Sequence, residues 1–280
     1  MINLPKLRRP PSAVAIDLDG TLLDSRPQLS MRSRAAIYQC LAQEIPIVIA
    51  TSRPARTVYR LLGEELVNEC SLVLMNGALA MGAPPLSGAL REALPSSVAR
   101  SLVELILDLM PDVRVVIELN GQEFGANTRF DDDLLWRSNF ATPDMVLTLE
   151  QALQRHPTKV AVNGLGHDLS LVAAEVSSQF GDDLSVLPAD GATFLNVVSH
   201  RASKSHALRH LLDPHGVSLS NVIAFGDDLP DIDMLKECGI SIAVANATPT
   251  VKATARYETA SNDEDGVAIA LEQLIGGPPE

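Results

Sequence analysis

Two aspartates stand two residues apart directly after a short apolar segment near the start of the chain. The segment Ala13–Ile16 leads into the motif DLDGT, which begins at Asp17 and contains Asp19 and Gly20. Alternate residues of an extended chain point to the same side, so the two carboxylates would repel each other unless a divalent cation lay between them. Gly20 permits the sharp backbone departure that brings both groups over one point. The pattern predicts a metal-binding acidic site in which the ionised Asp17 is able to act as a nucleophile.

Other polar residues follow apolar segments elsewhere in the chain. Thr51, Asn76, Asp227 and Asn246 each come at or just after the end of such a segment. In open α/β sheets, ligands bind beyond the carboxyl ends of the strands. We therefore expect these side chains to gather around Asp17 at one edge of a sheet.

The elements that must position these residues alternate between buried strands and helices. Strands are predicted at 13–16, 45–50 and 72–75, with helices at 31–43 and 54–63 between them. The same alternation returns after Ala202 and continues to a last helix that ends at Ile275. Alternating strands and helices predict an α/β fold with a parallel sheet.

The middle of the chain has a different pattern. The stretch Gly82–Gly88 is rich in proline and glycine, which favours a crossing between domains, and Asn120-Gly121 predicts a hairpin. Helices and hairpin strands are mixed in this part of the sequence. The predicted organisation is a discontinuous α/β core at residues 1–82 and 191–280, with an inserted α+β domain at residues 83–190.

Composition restricts the class of protein. The net charge of −13 repels phosphate backbones, so no nucleic acid partner is expected. No apolar run approaches the roughly 20 residues of a membrane span, and no signal peptide is recognisable. The cysteines Cys40, Cys70 and Cys238 lack a redox or metal-binding spacing. These features predict a cytoplasmic protein without a membrane partner, either a monomer or a homodimer, with free buried thiols.

Four short motifs resemble those of the haloacid dehalogenase (HAD) superfamily and occur in that superfamily's order. Asp17–Leu23 (DLDGTLL) resembles motif I, Thr51 motif II, Lys204 the motif III lysine, and Asp227 with Asp231 motif IV. Further segments at 76–78, 246–247 and 265–268 are similar to those of Cof-type members. The resemblance covers nearly the whole chain.

The resemblance implies a fold and an activity. It implies a Rossmann-like parallel-sheet core with an inserted α+β cap of the C2 type, as in subfamily IIB. It also implies a Mg²⁺-dependent phosphatase that hydrolyses a small phosphorylated metabolite through an aspartyl-phosphate intermediate. Sugar phosphates and phosphorylated cofactors, such as pyridoxal phosphate and flavin mononucleotide, are among the family's substrates. The cap would exclude water and select the leaving group.

The same resemblance assigns roles to individual residues. Asp17 would attack phosphorus, and Asp19 would protonate the leaving oxygen and later activate a water molecule. Thr51 and Lys204 would bind the phosphoryl group, and Lys204 would also restrain Asp17. The carboxylates of Asp17 and Asp227, with the backbone carbonyl of Asp19, would hold Mg²⁺.

Several supporting positions follow from the same motifs. Asp231 would assist the metal site, Asn76 would hold the motif II region by hydrogen bonds, and Asn246 is a further supporting residue. Arg53 is interpreted either as a substrate-binding group or as one half of a surface ion pair. Pro230 stands where motif IV usually has Asn, which places a substrate contact in doubt but not metal binding.

The inserted region offers weaker candidates. Arg129, Trp136 and Arg137 are candidates for lining a substrate face, with Trp136 in the core as the alternative. The run Asp131–Asp133 is predicted to be a solvated loop. The histidines lack the spacing of a zinc site.

Two other functions stay open at this point. A signalling receiver also combines acidic residues with Thr and Lys, although it needs neither a cap nor the second aspartate of the DxD pair. A phosphosugar mutase would return the phosphoryl group to its substrate, so release of inorganic phosphate separates it from a phosphatase.

Overall fold

A computed structural model describes residues 4–7, 9–131 and 139–276, and these residues contain two β-sheets. The strands are β1 Ala13–Ile16, β2 Ile47–Ala50, β3 Ser71–Leu74, β4 Leu79–Met81, β5 Ala89–Arg91, β6 Arg114–Glu118, β7 Phe124–Ala126, β8 Val146–Thr148, β9 Lys159–Asn163, β10 Leu184–Ala189, β11 Phe194–Ser199, β12 Val222–Gly226, β13 Ile240–Ala243 and β14 Tyr257–Glu258. The α-helices are α1 Met31–Ala42, α2 Ala55–Leu62, α3 Glu64–Asn68, α4 Ser96–Leu109, α5 Leu149–Leu153, α6 Ser170–Phe180, α7 Lys204–Leu212, α8 Ile232–Glu237, α9 Pro249–Thr254 and α10 Gly266–Ile275.

The larger sheet is mostly parallel, as the alternation of strands and helices predicts. Its order is β14-β13-β12-β1-β2-β3-β4-β5, and every pair from β14 to β3 is parallel. All residues of β1, β2, β3 and β12 are buried, because helices such as α7 cover the sheet. The carboxyl ends of β1, β2 and β12 therefore meet at one edge of the sheet.

Two short strands extend this sheet beyond the predicted domain boundary at residue 82. The stretch Gly82–Gly88 is not a crossing between domains but the loop of a hairpin in which β4 and β5 pair antiparallel. Three-residue strands carry too little hydrophobic periodicity to be recognised, and the prolines of the loop resemble those of a linker. On the other side, β11 pairs with β9 of the smaller sheet, beyond the boundary at 191. We propose that the chain crosses between the two sheets near residues 92 and 200.

The smaller sheet belongs to the inserted region. Its order is β10-β11-β9-β6-β7-β8, and its pairs are antiparallel except for β7 with β8. Val160 and Val162 of β9 are fully buried in a hydrophobic cluster with residues of α4 and α6. Because side chains alternate across a strand, Lys159, Ala161 and Asn163 lie on the opposite face. Among the described residues, no helix is both long and apolar enough to cross a membrane.

A buried ion pair joins α2 of the core to β6 of the inserted region. The Arg56 guanidinium donates two hydrogen bonds to the Glu118 carboxylate, at 2.7 and 2.6 Å, and the two side chains are 3% and 6% exposed. Arg56 also donates to the carbonyl of Asn139 at 2.9 Å, and its guanidinium lies 4.5 Å from the centre of the Phe124 ring. The pair therefore links the two sheets through charges that water does not screen.

We expect Glu118→Gln to lower the free energy of unfolding by about 3 kcal/mol, because the Arg56 charge would remain buried without its partner. The matched control is Glu150→Gln. Glu150 and Arg100 form a similar bidentate pair at 2.7 and 2.8 Å, but their side chains are 56% and 42% exposed. Urea unfolding of both variants measures the difference. Equal losses of unfolding free energy in Glu118→Gln and Glu150→Gln would contradict a structural role for the buried pair.

Candidate active site

The turn after β1 brings Asp17 next to the residues that follow β12. Residues 18–22 form a wide turn in which Gly20 has a φ of +74°. A Cβ atom at Gly20 would lie 2.4 Å from Oδ2 of Asp227, so only glycine fits this approach. Thr21 Oγ1 donates to Asp227 Oδ1 at 2.6 Å and fastens the two loops together. The DLDGT motif thus shapes the backbone of the site as well as its charges.

Lys204 lies between two carboxylates at the start of α7. Its Nζ donates to Asp17 Oδ1 at 2.6 Å and to Asp231 Oδ1 at 2.5 Å. Lys204 and Asp17 are only 3% and 6% exposed. Burial by itself lowers the pKa of Lys204, but the two carboxylates outweigh it and raise that pKa above its ordinary value. Burial and then Asp231 raise the pKa of Asp17, and Lys204 only partly opposes them. The Lys204 ammonium therefore keeps its charge. The carboxylates around it together carry more negative charge than this one ammonium balances.

Three carboxylates form a group that fits a metal ion. Oxygen atoms of Asp17, Asp227 and Asp231 lie within 4.8 Å of one another. Burial raises the pKa of Asp227 to about 6, and Asp231 adds to this while the hydrogen bond from Thr21 opposes it. A divalent cation would balance the excess of negative charge, and carboxylate oxygens are the ligands that Mg²⁺ and similar hard cations prefer.

The three carboxylates do not have equal freedom to bind a cation. Asp231 Oδ1 accepts from Lys204, and its Oδ2 accepts from the backbone N–H groups of Asp227 and Asp228 at 3.1 and 3.2 Å. By contrast, no donor in the described part of the chain reaches Oδ2 of Asp17 or Oδ2 of Asp227. The geometry leaves Oδ2 of Asp227 free as a direct metal ligand and Oδ2 of Asp17 free to act as a nucleophile. Asp231 holds the backbone and Lys204 in place.

Asp19 and Arg53 form an ion pair at the edge of this group. Arg53 Nε and Nη2 donate to the two oxygens of Asp19 at 2.7 and 2.6 Å. The side chains are 26% and 39% exposed, and both line the cavity described below. Of the two interpretations of Arg53, the ion pair is therefore present, but it lies within the cavity. Asp19 is able to donate a proton to a substrate only when at least one of these contacts opens.

Thr51 and Asn76 are both buried, and of the two only Asn76 lines the cavity described below. Thr51 is fully buried, its Oγ1 accepts from the Arg53 backbone N–H at 3.1 Å, and it is not among the residues that line the cavity. The Asn76 backbone N–H donates to the Thr51 carbonyl at 3.1 Å, but the Asn76 side-chain amide has no partner among the described residues. The hydrogen bond that joins Asn76 to Thr51 is therefore made by the Asn76 backbone and not by its side chain.

Asn246 and Pro230 complete the core side of the site. Asn246 Nδ2 donates to the Gly20 carbonyl at 2.7 Å, and its Oδ1 accepts from the Asn262 backbone N–H at 3.0 Å. Pro230 lies in a short turn, Leu229–Asp231, directly before α8, and its ring lines the cavity. Pro230 therefore fits the start of this turn, and Asp231 at its end contacts Lys204.

A cavity of about 710 Å³ lies between the carboxylates and the smaller sheet. Its lining includes residues of the inserted region that the sequence does not single out, among them Arg114, Phe130, Lys159, Asn163 and Asn196. Arg129 is exposed and absent from the lining, so it is not a cavity residue. Trp136, Arg137 and two of the three residues of the run Asp131–Asp133 lie outside the described residues. The strand alternation of β9 is the one sequence signal that groups Lys159 with Asn163.

Lys159 carries a buried charge from the inserted region to the core. Its Nζ donates to the Ser52 carbonyl at 2.9 Å, directly beside Arg53. Burial lowers the pKa of Lys159 to about 8, Arg56 and Arg53 lower it further, and Glu118 opposes the change. The folded protein therefore releases this proton well before the unfolded chain does.

This difference gives a pH-dependent stability with a definite sign. Between pH 8 and the ordinary lysine pKa of about 10.5, the unfolded chain binds more protons than the folded one, so stability due to Lys159 rises with pH in that window. At pH 7, we expect the free energy of unfolding of Lys159→Met to exceed that of the wild type by up to about 3 kcal/mol. We expect this difference to disappear by pH 10.5. Urea unfolding of both proteins across this range measures it. A difference that does not change with pH would contradict the buried charge.

Comparisons with known proteins agree with this architecture. Residues 14–271 match the family model described as haloacid dehalogenase-like hydrolase. The 5-amino-6-(5-phospho-D-ribitylamino)uracil phosphatase YcsE of Bacillus subtilis is 29% identical over 268 residues, which cover 94% of this chain and 95% of the relative. The structure of BT1666 from Bacteroides thetaiotaomicron, described among phosphatases of the HAD superfamily, has a TM-score of 0.77 at 25% identity and covers 97% of both chains.

A further structural relative shows the fold. The sugar phosphatase BT4131 of HAD subclass IIB has a TM-score of 0.74 at 20% identity and covers 94% of this chain and 98% of that one. The chain belongs to the haloacid dehalogenase-like hydrolase family, because the family model spans most of its length. The predicted superfamily, the enzyme class of hydrolases and the Rossmann-like core with an inserted cap are confirmed.

Proposed function

We propose that this haloacid dehalogenase-like hydrolase is a Mg²⁺-dependent phosphatase that acts on a small phosphorylated metabolite, either a sugar phosphate or a phosphorylated cofactor. The observation that carries the proposal is a pair of carboxylate oxygens, Oδ2 of Asp17 and Oδ2 of Asp227, that accept no hydrogen bond from the described residues. Both residues line a cavity of about 710 Å³. A nucleophile and a metal ligand side by side suit phosphoryl transfer, which depends mainly on positioning and on charge stabilisation.

The first half of the reaction uses Asp17 and Asp19. Oδ2 of Asp17 forms a bond to phosphorus while the bond from phosphorus to the leaving oxygen breaks. Asp19 gives that oxygen a proton, for which one Arg53 contact has to open; rotation of Arg53 towards the phosphoryl oxygens would open it. Lys204 holds Oδ1 of Asp17 and keeps Oδ2 directed at the substrate.

The second half releases inorganic phosphate. Asp19 takes a proton from a water molecule, the water oxygen bonds to phosphorus, and the bond to Asp17 breaks. Thr51 Oγ1 accepts from the Arg53 backbone N–H, so its hydroxyl hydrogen would remain available as a donor to the phosphoryl group. Asp17, Asp227 and the Asp19 carbonyl would hold Mg²⁺, and the bound cation would neutralise charge on the phosphoryl oxygens.

Relatives support the substrate class. The Bacillus subtilis relative is named as a phosphatase of a ribitylaminouracil phosphate, a small phosphorylated organic molecule. A cavity covered by a second sheet is suited to enclosing the leaving group of such a substrate. A signalling receiver has no need of such a cavity, because it passes on a conformational change. The buried free cysteines suit the proposed reducing cytoplasm. A phosphosugar mutase stays the second candidate, since the same carboxylates would serve it.

A panel of phosphorylated metabolites with Mg²⁺ tests the proposal, with the Asp17→Asn variant as the blank. The panel includes p-nitrophenyl phosphate, sugar phosphates, pyridoxal phosphate and flavin mononucleotide. Sustained release of inorganic phosphate that requires Mg²⁺ is the expected result. A positional isomer of a sugar phosphate formed without phosphate release would support the mutase instead, and a single stoichiometric transfer would support a receiver.

A further inference from the structure

One face of the smaller sheet forms the roof of the cavity. Strand register places three residues side by side in each of two rungs across β6, β9 and β11. All six line the cavity: Arg114, Asn163 and Phe194 in the outer rung, and Val116, Ala161 and Asn196 in the inner rung. The roof therefore combines a small apolar centre with polar groups around it.

Two polar atoms of this roof are buried without a partner among the described residues. Asn196 is 6% exposed, and its Oδ1 accepts no hydrogen bond from the described residues. Nε of Arg114 is buried and donates to no acceptor in that same part of the chain. On the floor, Asn76 is 2% exposed, with both side-chain atoms of its amide unpartnered. Each such atom costs about 1–3 kcal/mol when left unpaired, and the three residues all line one cavity, where a ligand would be able to pair them.

Arg114 differs from the other arginines of the cavity. Arg53 is paired with Asp19 and Arg56 with Glu118, whereas no ion pair to Arg114 occurs within the described ranges. Its guanidinium carbon lies 5.4 Å from the centre of the Phe130 ring, within the range of a cation–π contact. A guanidinium that has no carboxylate partner among the described residues is suited to an oxygen acceptor of the ligand, either a carboxylate or a ring carbonyl.

The two unpartnered atoms of the roof have opposite hydrogen-bonding roles. Oδ1 of Asn196 is an acceptor and requires a donor, such as a hydroxyl group of the ligand. Nε of Arg114 is a donor and requires an acceptor, one rung further out. Val116 and Ala161 leave room beside Asn196, because both side chains are small.

We propose that this roof recognises a leaving group that carries hydroxyl groups next to the phosphate and an oxygen acceptor at its far end. Asn196 accepts from a hydroxyl group, and Arg114 binds the distal carboxylate or carbonyl oxygen. The inference rests on the proposed phosphatase function and extends it to the substrate class, namely polyol phosphates with a distal acceptor.

Steady-state kinetics with four substrates test the proposal. 6-Phosphogluconate carries a distal carboxylate and flavin mononucleotide carries ring carbonyls, while sorbitol 6-phosphate has hydroxyl groups only. p-Nitrophenyl phosphate has no hydroxyl group and only the weakly accepting oxygens of a nitro group, and it reports the folded active site. The variants are Arg114→Met and Arg114→Lys, and the control is Arg100→Met, which removes an exposed arginine of α4 outside the cavity.

We expect Arg114→Met to lower kcat/KM for at least one acceptor-bearing substrate by about 10- to 100-fold more than for sorbitol 6-phosphate or p-nitrophenyl phosphate. For the same substrate, kcat/KM of Arg114→Lys should lie between the values of the wild type and Arg114→Met, because lysine keeps the charge and lacks the planar set of donors. Arg100→Met should leave the ratios of kcat/KM among the four substrates unchanged. A selective loss for 6-phosphogluconate identifies a carboxylate, and one for flavin mononucleotide identifies a carbonyl.

Two other outcomes would overturn the proposal, and they are distinguishable. Equal losses on all four substrates in Arg114→Met, or ratios that match those of Arg100→Met, would overturn the role of the roof while the phosphatase function stands. Absence of p-nitrophenyl phosphate hydrolysis by the wild type with Mg²⁺ would overturn the phosphatase function, and the inference with it.

Discussion

Phosphate release should fall by at least about 10⁴-fold when Asp17 is replaced by Asn, because the reaction then lacks its nucleophile. Asn matches Asp in shape, and its side-chain oxygen is still able to accept from Lys204 Nζ. The replacement also removes one negative charge from a group in which Asp17, Asp227 and Asp231 share the single ammonium of Lys204. We therefore expect the metal-free variant to unfold at the same temperature as the wild type or at a higher one.

The measurement combines a phosphate-release assay with thermal unfolding of the same preparations. Asp233→Asn is the matched control, since Asp233 lies near the site but serves α7 by accepting from the Ser205 backbone N–H at 2.8 Å. Asn is able to accept the same bond, so this variant should keep its activity. More than about one per cent of wild-type activity in a folded Asp17→Asn protein would rule out Asp17 as the nucleophile.

The gathering of polar residues at one sheet edge was predictable from the sequence for a simple geometric reason. Asp17, Thr51 and Asp227 each follow a strand whose residues are all buried, and those strands are parallel neighbours. Parallel strands end at the same edge, so a polar residue after each one must come close to the others. The sequence order of the residues is then irrelevant to their distance in space.

The roof of the cavity was not predictable in the same way. The alternation in β9 shows that Lys159 and Asn163 share a face opposite Val160 and Val162, but a polar strand face ordinarily borders solvent. That face borders the active site because the inserted region folds back over the core, through contacts such as Arg56 with Glu118. Those contacts join residues far apart in sequence, and no local pattern reports them.

Asp19 and Arg53 show a similar limit. The spacing from Thr51 to Arg53 is compatible with an arginine that faces the substrate and with one in an ion pair. Only the positions of β1 and β2 side by side bring Arg53 onto both oxygens of Asp19. The pair then suggests that the arginine controls when the proposed acid is free to act.

The Mg²⁺ requirement should change strongly when Asp227 is replaced by Asn. In the wild type, Oδ1 of Asp227 accepts from Thr21, and Oδ2 has no donor in the described parts of the chain. Asn at this position is able to keep the bond to Thr21, but it places an amide NH₂ group, which is a donor, where the metal requires an oxygen. We expect the Mg²⁺ concentration for half-maximal activity to rise about 100-fold or more.

Asp228→Asn is the control that separates coordination from a general loss of negative charge. Asp228 is the adjacent residue and also lines the cavity, yet it is not part of the carboxylate group of Asp17, Asp227 and Asp231. If only the local field mattered, both variants would shift the Mg²⁺ titration alike. If Asp227 binds the ion directly, Asp227→Asn should shift it far more than Asp228→Asn.

A second readout keeps this test independent of turnover. A bound ion stabilises the folded state by an amount that grows with the ratio of ion concentration to dissociation constant, about 2.7 kcal/mol at a hundredfold excess. Mg²⁺ should therefore raise the unfolding temperature of the wild type and of Asp228→Asn, but much less that of Asp227→Asn at the same concentration. An unchanged Mg²⁺ titration together with an unchanged thermal shift in Asp227→Asn would place the metal elsewhere, because the ion would then have lost nothing when this oxygen was removed.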